Sequence, residues 1–164
     1  MSSSFDLPHL DSFAAGTEGP AGQRIFYLQA VAGDQVVTLR LEKQQVALLA
    51  GYLGRVITSY ELAPSEPTTM PGLRTAIPEW IVGSMMVAID EAESRVIVIA
   101  EELVPEGDDP DAVPDGSQAR FGLTRGQVEA FIEGAEELVR SGRPTCPLCG
   151  RPIDPDGHFC PRLN

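Results

Sequence analysis

Positive charge is scarce in this chain, which has 12 lysine and arginine residues against 24 aspartate and glutamate residues. The formal net charge is −12, and the pI is about 4.4. Proteins that bind nucleic acid draw much of their affinity from lysine and arginine side chains that neutralise phosphates. The sequence therefore argues against a nucleic-acid-binding protein, although Arg143, Arg151 and Arg162 lie near its C-terminus.

Long apolar runs are also missing, although a hydrophobic fraction of 43% can support a core. A helix that crosses a bilayer needs about 20 consecutive, mostly apolar residues, and no run in the chain reaches that length. The first residues, Met1 to Asp6, contain neither a basic nor an apolar stretch, so we expect no secretory signal. These features predict a cytoplasmic protein that does not bind membranes.

Cysteine and histidine are rare, with three and two copies, and their placement is uneven. All three cysteines and His158 lie in the last 19 residues, as Cys146-Pro-Leu-Cys149-Gly and His158-Phe-Cys160-Pro. An odd number of clustered cysteines favours metal binding over a disulfide framework. A Cys-x-x-Cys pair can hold one metal ion, and an extended segment after Gly157 would point His158 and Cys160 to the same side.

Cys146, Cys149, His158 and Cys160 together make a Cys₃His set, which suits tetrahedral zinc. We expect a structural zinc, because a catalytic zinc keeps one coordination position for water and usually lies beside a general base. The spacing is shorter than in the common two-knuckle pattern, which makes the histidine a weaker assignment than the three sulfurs. His9 is the alternative fourth ligand, although a lone histidine in an N-terminal segment is more often a surface residue.

Composition and periodicity divide the chain into three parts. Residues 1–22 are predicted to be a lead-in segment, residues 23–142 an α+β domain, and residues 143–164 a zinc-knuckle tail. We expect a mainly antiparallel sheet of about five strands with both helices on one face. The predicted strands lie at 24–31, 35–41, 80–90, 95–104 and 118–123, the helices at 43–60 and 125–141, and a proline-rich connection at 61–76.

Two of the predicted strands, 80–90 and 95–104, contain nearly continuous apolar runs. Such runs are typical of strands that are buried on both faces. We therefore expect a second layer or a partner chain to cover the outer side of the sheet, and a homodimer is compatible with this pattern.

The two predicted helices resemble each other at a constant offset of 82 residues. Any amphipathic helix repeats its apolar residues every three or four positions, so the polar matches Lys43/Arg125 and Gln45/Gln127 carry the argument. The sequence predicts a duplicated ββα unit, and the alternative is two unrelated helices on one sheet. The predicted repeats are residues 23–60 and 77–142.

Other motifs give weak signals. Residues 101–115 are rich in acidic side chains, but their spacing is not that of an EF-hand, so we interpret them as a solvated loop. The Gly16-x-x-Gly19-x-x-Gly22 motif precedes a strand, whereas a dinucleotide-binding loop follows one. No catalytic residues are assigned.

The segments Arg24-Ile-Phe-Tyr-Leu-Gln-Ala, Leu39-Arg-Leu-Glu-Lys and Glu101-Glu-Leu, together with the stretch from Cys146 to Arg162, resemble an uncharacterised actinobacterial family, the DUF3090 proteins. The resemblance covers nearly the whole chain, and the cysteine motif is its most specific part. It implies a cytosolic protein without an established activity. Genes of this family often lie beside those of a histidine-phosphatase-like and a kinase-like protein, which implies a shared pathway or complex.

These features together predict a non-enzymatic zinc-binding adaptor or regulatory subunit with an unidentified protein partner. The zinc knuckle would hold a tail that is too short to fold alone, because metal binding can replace a hydrophobic core. The alternative is a metal-dependent hydrolase, or another enzyme that acts on a small cytosolic metabolite.

Overall fold

A computed structural model of the chain describes residues 2–20, 22–105, 107, 111, 116–141, 146–151, 153 and 160–162. These residues form an α+β fold with two helices, as predicted. No helix in the described ranges is long and apolar enough to span a membrane. The elements are β1 Phe5–Leu7, β2 Ser12–Glu18, β3 Ile25–Ala32, β4 Gln35–Leu41, α1 Lys43–Ser59, β5 Val82–Asp90, β6 Arg95–Glu102, β7 Gln118–Leu123 and α2 Arg125–Arg140.

The strands form two sheets rather than the single sheet of about five strands that the sequence predicts. The three-stranded sheet has the order β2-β3-β4 and is antiparallel. The four-stranded sheet has the order β1-β7-β6-β5, and only β1 runs parallel to its neighbour. The two sheets meet beside β4, where Arg40 and Ile81 make a parallel bridge and the Arg40 N–H donates to the Trp80 carbonyl at 3.0 Å.

Residues 1–22, which the sequence predicts to be a lead-in segment, contain two strands that are not among the predicted ones, β1 and β2. The three small residues from Ala14 to Gly16 give β2 a weak strand signal, and strand propensity depends strongly on context. Tertiary contacts decide the outcome. Phe13 of β2 is 2% exposed, and its ring centroid lies 5.7 Å from that of Phe121 and 4.9 Å from that of Phe131.

The fold consists of two halves with the same order of elements. Strands β2 to β4 form an antiparallel meander that leads into α1, and β5 to β7 form another that leads into α2. The two helices pack on each other. Each half is thus a βββα unit rather than a ββα unit; the three strands of the second half were all predicted, and β2 is the additional strand of the first half. That the halves arose by duplication stays a prediction.

Strand register defines equivalent positions in the two halves. Thr38 and Arg120 each lie five residues before the first residue of the following helix. Thr38 pairs in register with Gln29, which pairs with Ala14, and we call such a set of partners a row. The equivalent row in the other sheet is Arg120, Ile99 and Met86. The next outward-facing rows are Arg40, Tyr27 and Gly16 in the first sheet and Gly122, Ile97 and Ala88 in the second.

The core forms where the apolar stripes of both helices meet the inner faces of the sheets. The helical stripes repeat every three or four residues, as predicted. Strand β6 is buried on both faces around Val98 and Ile99, but β5 exposes Met86 and Ala88 on its outer face. The prediction of burial on both faces therefore holds for β6 and not for β5. The buried helical residues that belong to this core are Val46, Leu49, Ala50, Leu53, Val128, Phe131 and Ala135.

The connection between α1 and β5 has no regular secondary structure, yet it is tied closely to the rest of the fold. We call residues 61–79 the strap. Where the strap passes α2, the Gly126 N–H donates to Ser65 Oγ at 2.6 Å. Where it crosses the outer face of the three-stranded sheet, Gln29 makes two hydrogen bonds to the backbone of Arg74, at 2.8 and 2.9 Å. The strap therefore covers both α2 and this sheet face.

Candidate metal centre

The first cysteine pair lies on a tight backbone turn. The Cys146 N–H donates to the Arg151 carbonyl and the Gly150 N–H donates to the Cys146 carbonyl, both at 2.9 Å. Gly150 has a φ of 74°, a left-handed conformation that glycine adopts without a steric penalty. The turn also points the backbone N–H groups of Cys149 and Leu148 at the Cys146 sulfur. This arrangement explains why the glycine follows the second cysteine.

The third cysteine joins this pair across a gap of ten residues. The Sγ atoms of Cys146, Cys149 and Cys160 all lie within 4.8 Å of one another, and those of Cys146 and Cys160 are 3.9 Å apart. Two sulfurs bound to one tetrahedral zinc at about 2.3 Å lie roughly 3.8 Å apart, whereas a disulfide needs about 2.05 Å. Cys146 and Cys160 are buried and Cys149 is partly exposed. The cluster therefore fits one metal ion and is not disulfide-bonded between Cys146 and Cys160.

Backbone hydrogen bonds and burial set the acidity of the two buried thiols. The N–H groups of Cys149 and Leu148 lower the pKa of Cys146 to about 7. The N–H of Arg162 lowers the pKa of Cys160, but burial and the neighbouring Cys149 and Cys146 thiols outweigh it, so the pKa of Cys160 is raised. A cation among the three sulfurs would favour the thiolate form of each, because thiolates are the metal-binding state of cysteine.

The structure thus brings together the three predicted cysteine ligands. The predicted fourth ligand, His158, lies outside the described residues. Within the described part of the chain, no histidine, aspartate or glutamate joins the three sulfurs. His9, the alternative fourth ligand, is exposed in the bend after β1 and does not belong to the group.

Much of the predicted acidic loop also lies outside the described residues, but its first part has a structural role. Glu102 ends β6 and accepts hydrogen bonds from the Ser117 N–H at 2.9 Å and from the Ser2 hydroxyl. The hydrogen bond from Ser117, followed by that from Ser2, lowers the pKa of Glu102. No local sequence signal indicates this role, because Ser2 is 100 residues away.

The fold and the site together define an α+β protein with a C-terminal cluster of three cysteines. One family, described as a protein of unknown function (DUF3090), matches residues 5–160. The match spans nearly the whole chain, and the chain belongs to the DUF3090 family. No curated protein and no solved structure matches it.

Proposed function

We propose that Cys146, Cys149, Cys160 and His158 bind one structural zinc ion, and that the chain is a non-enzymatic adaptor or regulatory subunit. The observation that best supports this proposal is that three sulfurs lie within 4.8 Å of one another around a turn whose N–H groups point at Cys146. Soft thiolate ligands in a tetrahedral arrangement favour zinc. Bound zinc would supply free energy for folding the tail, since the ligands must be brought together in a segment too short to have a core of its own.

Metal content gives the first test of this proposal. The purified chain is expected to contain one zinc by mass spectrometry of the metals, and Cys146→Ser is expected to lose most of it. His158→Ala should weaken zinc binding if the histidine is the fourth ligand. Arg151→Ala is the matched control, because the Arg151 side chain is exposed and only its backbone carbonyl bonds to Cys146. A zinc-free wild-type chain that also fails to bind added zinc would contradict the proposal.

The role of the zinc in folding is tested separately. Removal of zinc with a chelator, or the Cys146→Ser change, should expose the segment after α2 to limited proteolysis and leave both sheets intact. Amide hydrogen exchange of β3 and β6 reports on the sheets in the same samples. An unchanged cleavage pattern after full metal removal would show that the zinc is not structural.

The adaptor role is tested by partner capture from native cells. Wild type, Cys146→Ser and Arg151→Ala serve as baits, and bound proteins are measured by quantitative mass spectrometry. The adaptor proposal expects one stoichiometric partner with wild type and Arg151→Ala that is lost with Cys146→Ser. The alternative, a metal-dependent hydrolase or another enzyme of small-metabolite chemistry, expects no partner with any bait and a solvent ligand on the metal. Cobalt substitution distinguishes four protein ligands from three through the absorption spectrum of the bound ion.

A further inference from the structure

The two sheets differ in how their outer faces are covered. In the three-stranded sheet, Ala14 is 2% and Thr38 is 4% exposed, because the strap lies over this face. In the four-stranded sheet, the equivalent residues are Met86, which is 56% exposed, and Arg120, which is also exposed. The second face is covered in part, since Ile99 is 6% exposed and the Pro8 backbone lies over Gly122, but Met86 and Ala88 on β5 stay exposed.

The two helices show the same difference. The strap crosses α2 at Gly134, where an added Cβ would lie 2.6 Å from the Met70 side chain, and neighbouring Ala130 is 7% exposed. Counted from the start of each helix, the equivalent residues in α1 are Leu48 for Ala130 and Tyr52 for Gly134. Leu48 is 53% exposed and Tyr52 is 40% exposed. The helix face that the strap buries in one half is therefore apolar and open in the other.

A groove continues this uncovered surface beside the end of β5. Its volume is about 970 Å³, and Val56 of α1 and Tyr60, the residue after α1, line one part of it. Ala88 and Ile97 line another part, and their equivalents in the first sheet are Gly16 and Tyr27. Leu73 of the strap lies directly over Gly16, where an added Cβ would be 2.4 Å from Leu73 Cγ. The groove thus occupies the place that the strap fills in the other half.

We propose that this surface binds an extended, proline-containing peptide segment of a partner protein. The surface, which we call the uncovered face, consists of Leu48, Tyr52, Met86, Ala88 and the groove. The peptide would lie on it as the strap lies on α2 and the first sheet. This inference names the kind of partner segment that the proposed adaptor would bind. It rests on the proposed function in one respect, which is that the chain acts by binding a protein.

The strap and the groove together define the chemistry of the peptide. The strap places the apolar side chains of Met70 and Leu73 three residues apart in a stretch that contains several prolines, and proline lowers the entropy cost of holding a chain extended. A partner peptide would need an apolar side chain of similar size at Ala88. Prolines in an extended segment recur in peptide recognition because the bound shape is largely formed beforehand.

Charge adds a second requirement for the peptide. Asp6, Asp90 and Glu91 line the groove, and Arg120 is the basic residue among its described lining residues. The whole chain carries a net charge of −12. A peptide with lysine or arginine beside its apolar residue therefore complements the groove, and complementary charge raises both the association rate and the specificity.

A difference at the position of Gln29 explains why a segment on the uncovered face would bind reversibly. The Gln29 amide makes two hydrogen bonds with the Arg74 backbone and holds the strap in place. Its equivalent in the second sheet is Ile99, which cannot donate or accept such bonds. A segment on the uncovered face therefore relies on apolar contacts and charge.

A labelled decapeptide with the sequence of residues 67–76 is the probe, because it carries the prolines, Met70, Leu73 and Arg74 in the required order. It is titrated into the full, zinc-loaded chain and followed by fluorescence anisotropy and by chemical shifts of backbone amides. We expect saturable binding with shift changes centred on Ala88 and Ile97. A peptide with aspartate for the leucine and glutamate for the arginine is the control and should not bind.

Two variants locate the binding site. Ala88→Arg places a bulky side chain at the groove and should weaken binding by about tenfold or more. Ser84→Arg is the matched control, since Ser84 is exposed on the same face of β5 and does not line the groove. Glu91→Gln should weaken binding by a few-fold and reduce its dependence on salt. Circular dichroism confirms that each variant is folded before it is titrated.

Several results would overturn the proposal. They are absence of saturable binding, equal binding by the control peptide, and equal weakening by Ala88→Arg and Ser84→Arg. A dimer in sedimentation that Ala88→Arg dissociates would assign the uncovered face to a second copy of the chain. Groove amides that shift in Cys146→Ser without peptide would assign it to the chain's own C-terminal segment. None of these results depends on the zinc content or on partner capture. The peptide proposal can therefore fail while the proposed function is still decided by its own experiments.

Discussion

Gln45 and Gln127 hold equivalent places in the two helices and make the same two kinds of hydrogen bond. Each side-chain oxygen accepts the backbone N–H of the residue before the helix, at 2.7 Å for Gln45 and 3.0 Å for Gln127. Each side-chain nitrogen donates to a carbonyl in the other half of the fold, Val82 at 3.2 Å and Leu10 at 2.7 Å. Each glutamine thus caps its own helix and joins it to the segment that begins the other half.

Removal of either glutamine side chain should therefore lower the stability of the whole fold. We expect Gln45→Ala and Gln127→Ala each to reduce the free energy of unfolding by about 1–3 kcal/mol, because each leaves the N–H of the residue before a helix and a backbone carbonyl of the other half without the glutamine as partner. Urea unfolding followed by circular dichroism measures the change. Gln44→Ala is the control, since Gln44 is exposed beside Gln45. Equal stability of all three variants would show that these bonds do not join the halves.

The contact between the strap and α2 depends on a glycine. An added Cβ at Gly126 would lie 2.3 Å from the carbonyl oxygen of Glu66, so Gly126→Ala must displace the strap backbone. We expect a loss of about 1–3 kcal/mol in the free energy of unfolding. Gly51→Ala is the matched change in α1, where nothing lies within 4 Å, and should stabilise the chain by about 0.5–1 kcal/mol. Thermal or urea unfolding of both variants tests the contrast, and a stabilising Gly126→Ala would contradict the strap contact.

The turn of the cysteine cluster depends on the conformation of Gly150. Its φ of 74° costs a residue with a Cβ about 1–2 kcal/mol. Gly150→Ala should therefore weaken zinc binding by roughly 5- to 30-fold, and Gly150→Asn by less, because asparagine tolerates this conformation. Competition with a chromogenic chelator measures the affinities. The order glycine, asparagine, alanine is the expected result, and equal affinities would refute the role of the turn.

Glu102 should make stability depend on pH. Its pKa is lowered by hydrogen bonds from Ser117 and Ser2, so the folded chain favours the charged carboxylate more than the unfolded chain does. The stabilisation is fully present when the pH is above the ordinary range of a carboxyl pKa. It is lost as the pH falls through the lowered pKa of the folded state. Glu102→Gln should thus be less stable than wild type at pH 7, and the difference should shrink on acidification.

Urea unfolding of wild type and Glu102→Gln from pH 7 downwards measures this dependence. Glu101→Gln removes the same charge from the neighbouring, exposed position and serves as the control. If the stability difference between wild type and Glu102→Gln is the same at all pH values, the hydrogen-bonded carboxylate is not its cause.

Features that depend on neighbouring residues were predictable from the sequence. The strands β4 and β7 and both helices lie within one or two residues of their predicted bounds, because a helix or strand stripe is a local pattern. The capping role of Gln127 follows from its spacing to Thr124. The pair Cys146 and Cys149 is local as well, since two residues between cysteines already place both sulfurs on one turn.

Features that depend on distant residues were decided only by the tertiary structure. Strand β2 has weak signals of its own and forms because Phe13 packs against Phe121 and Phe131. The contact of Glu102 with Ser2 joins residues 100 positions apart, and nothing in either neighbourhood indicates it.

The sequence by itself determined the α+β class, the two helices and the three cysteines that meet at the candidate metal centre. The tertiary structure decided that the seven strands of the described residues divide into two sheets and that the strap covers the outer face of the three-stranded sheet. The reason is physical. Periodicity and short spacings act through adjacent residues, whereas sheet division and coverage depend on which distant surfaces bury one another when the chain closes on itself.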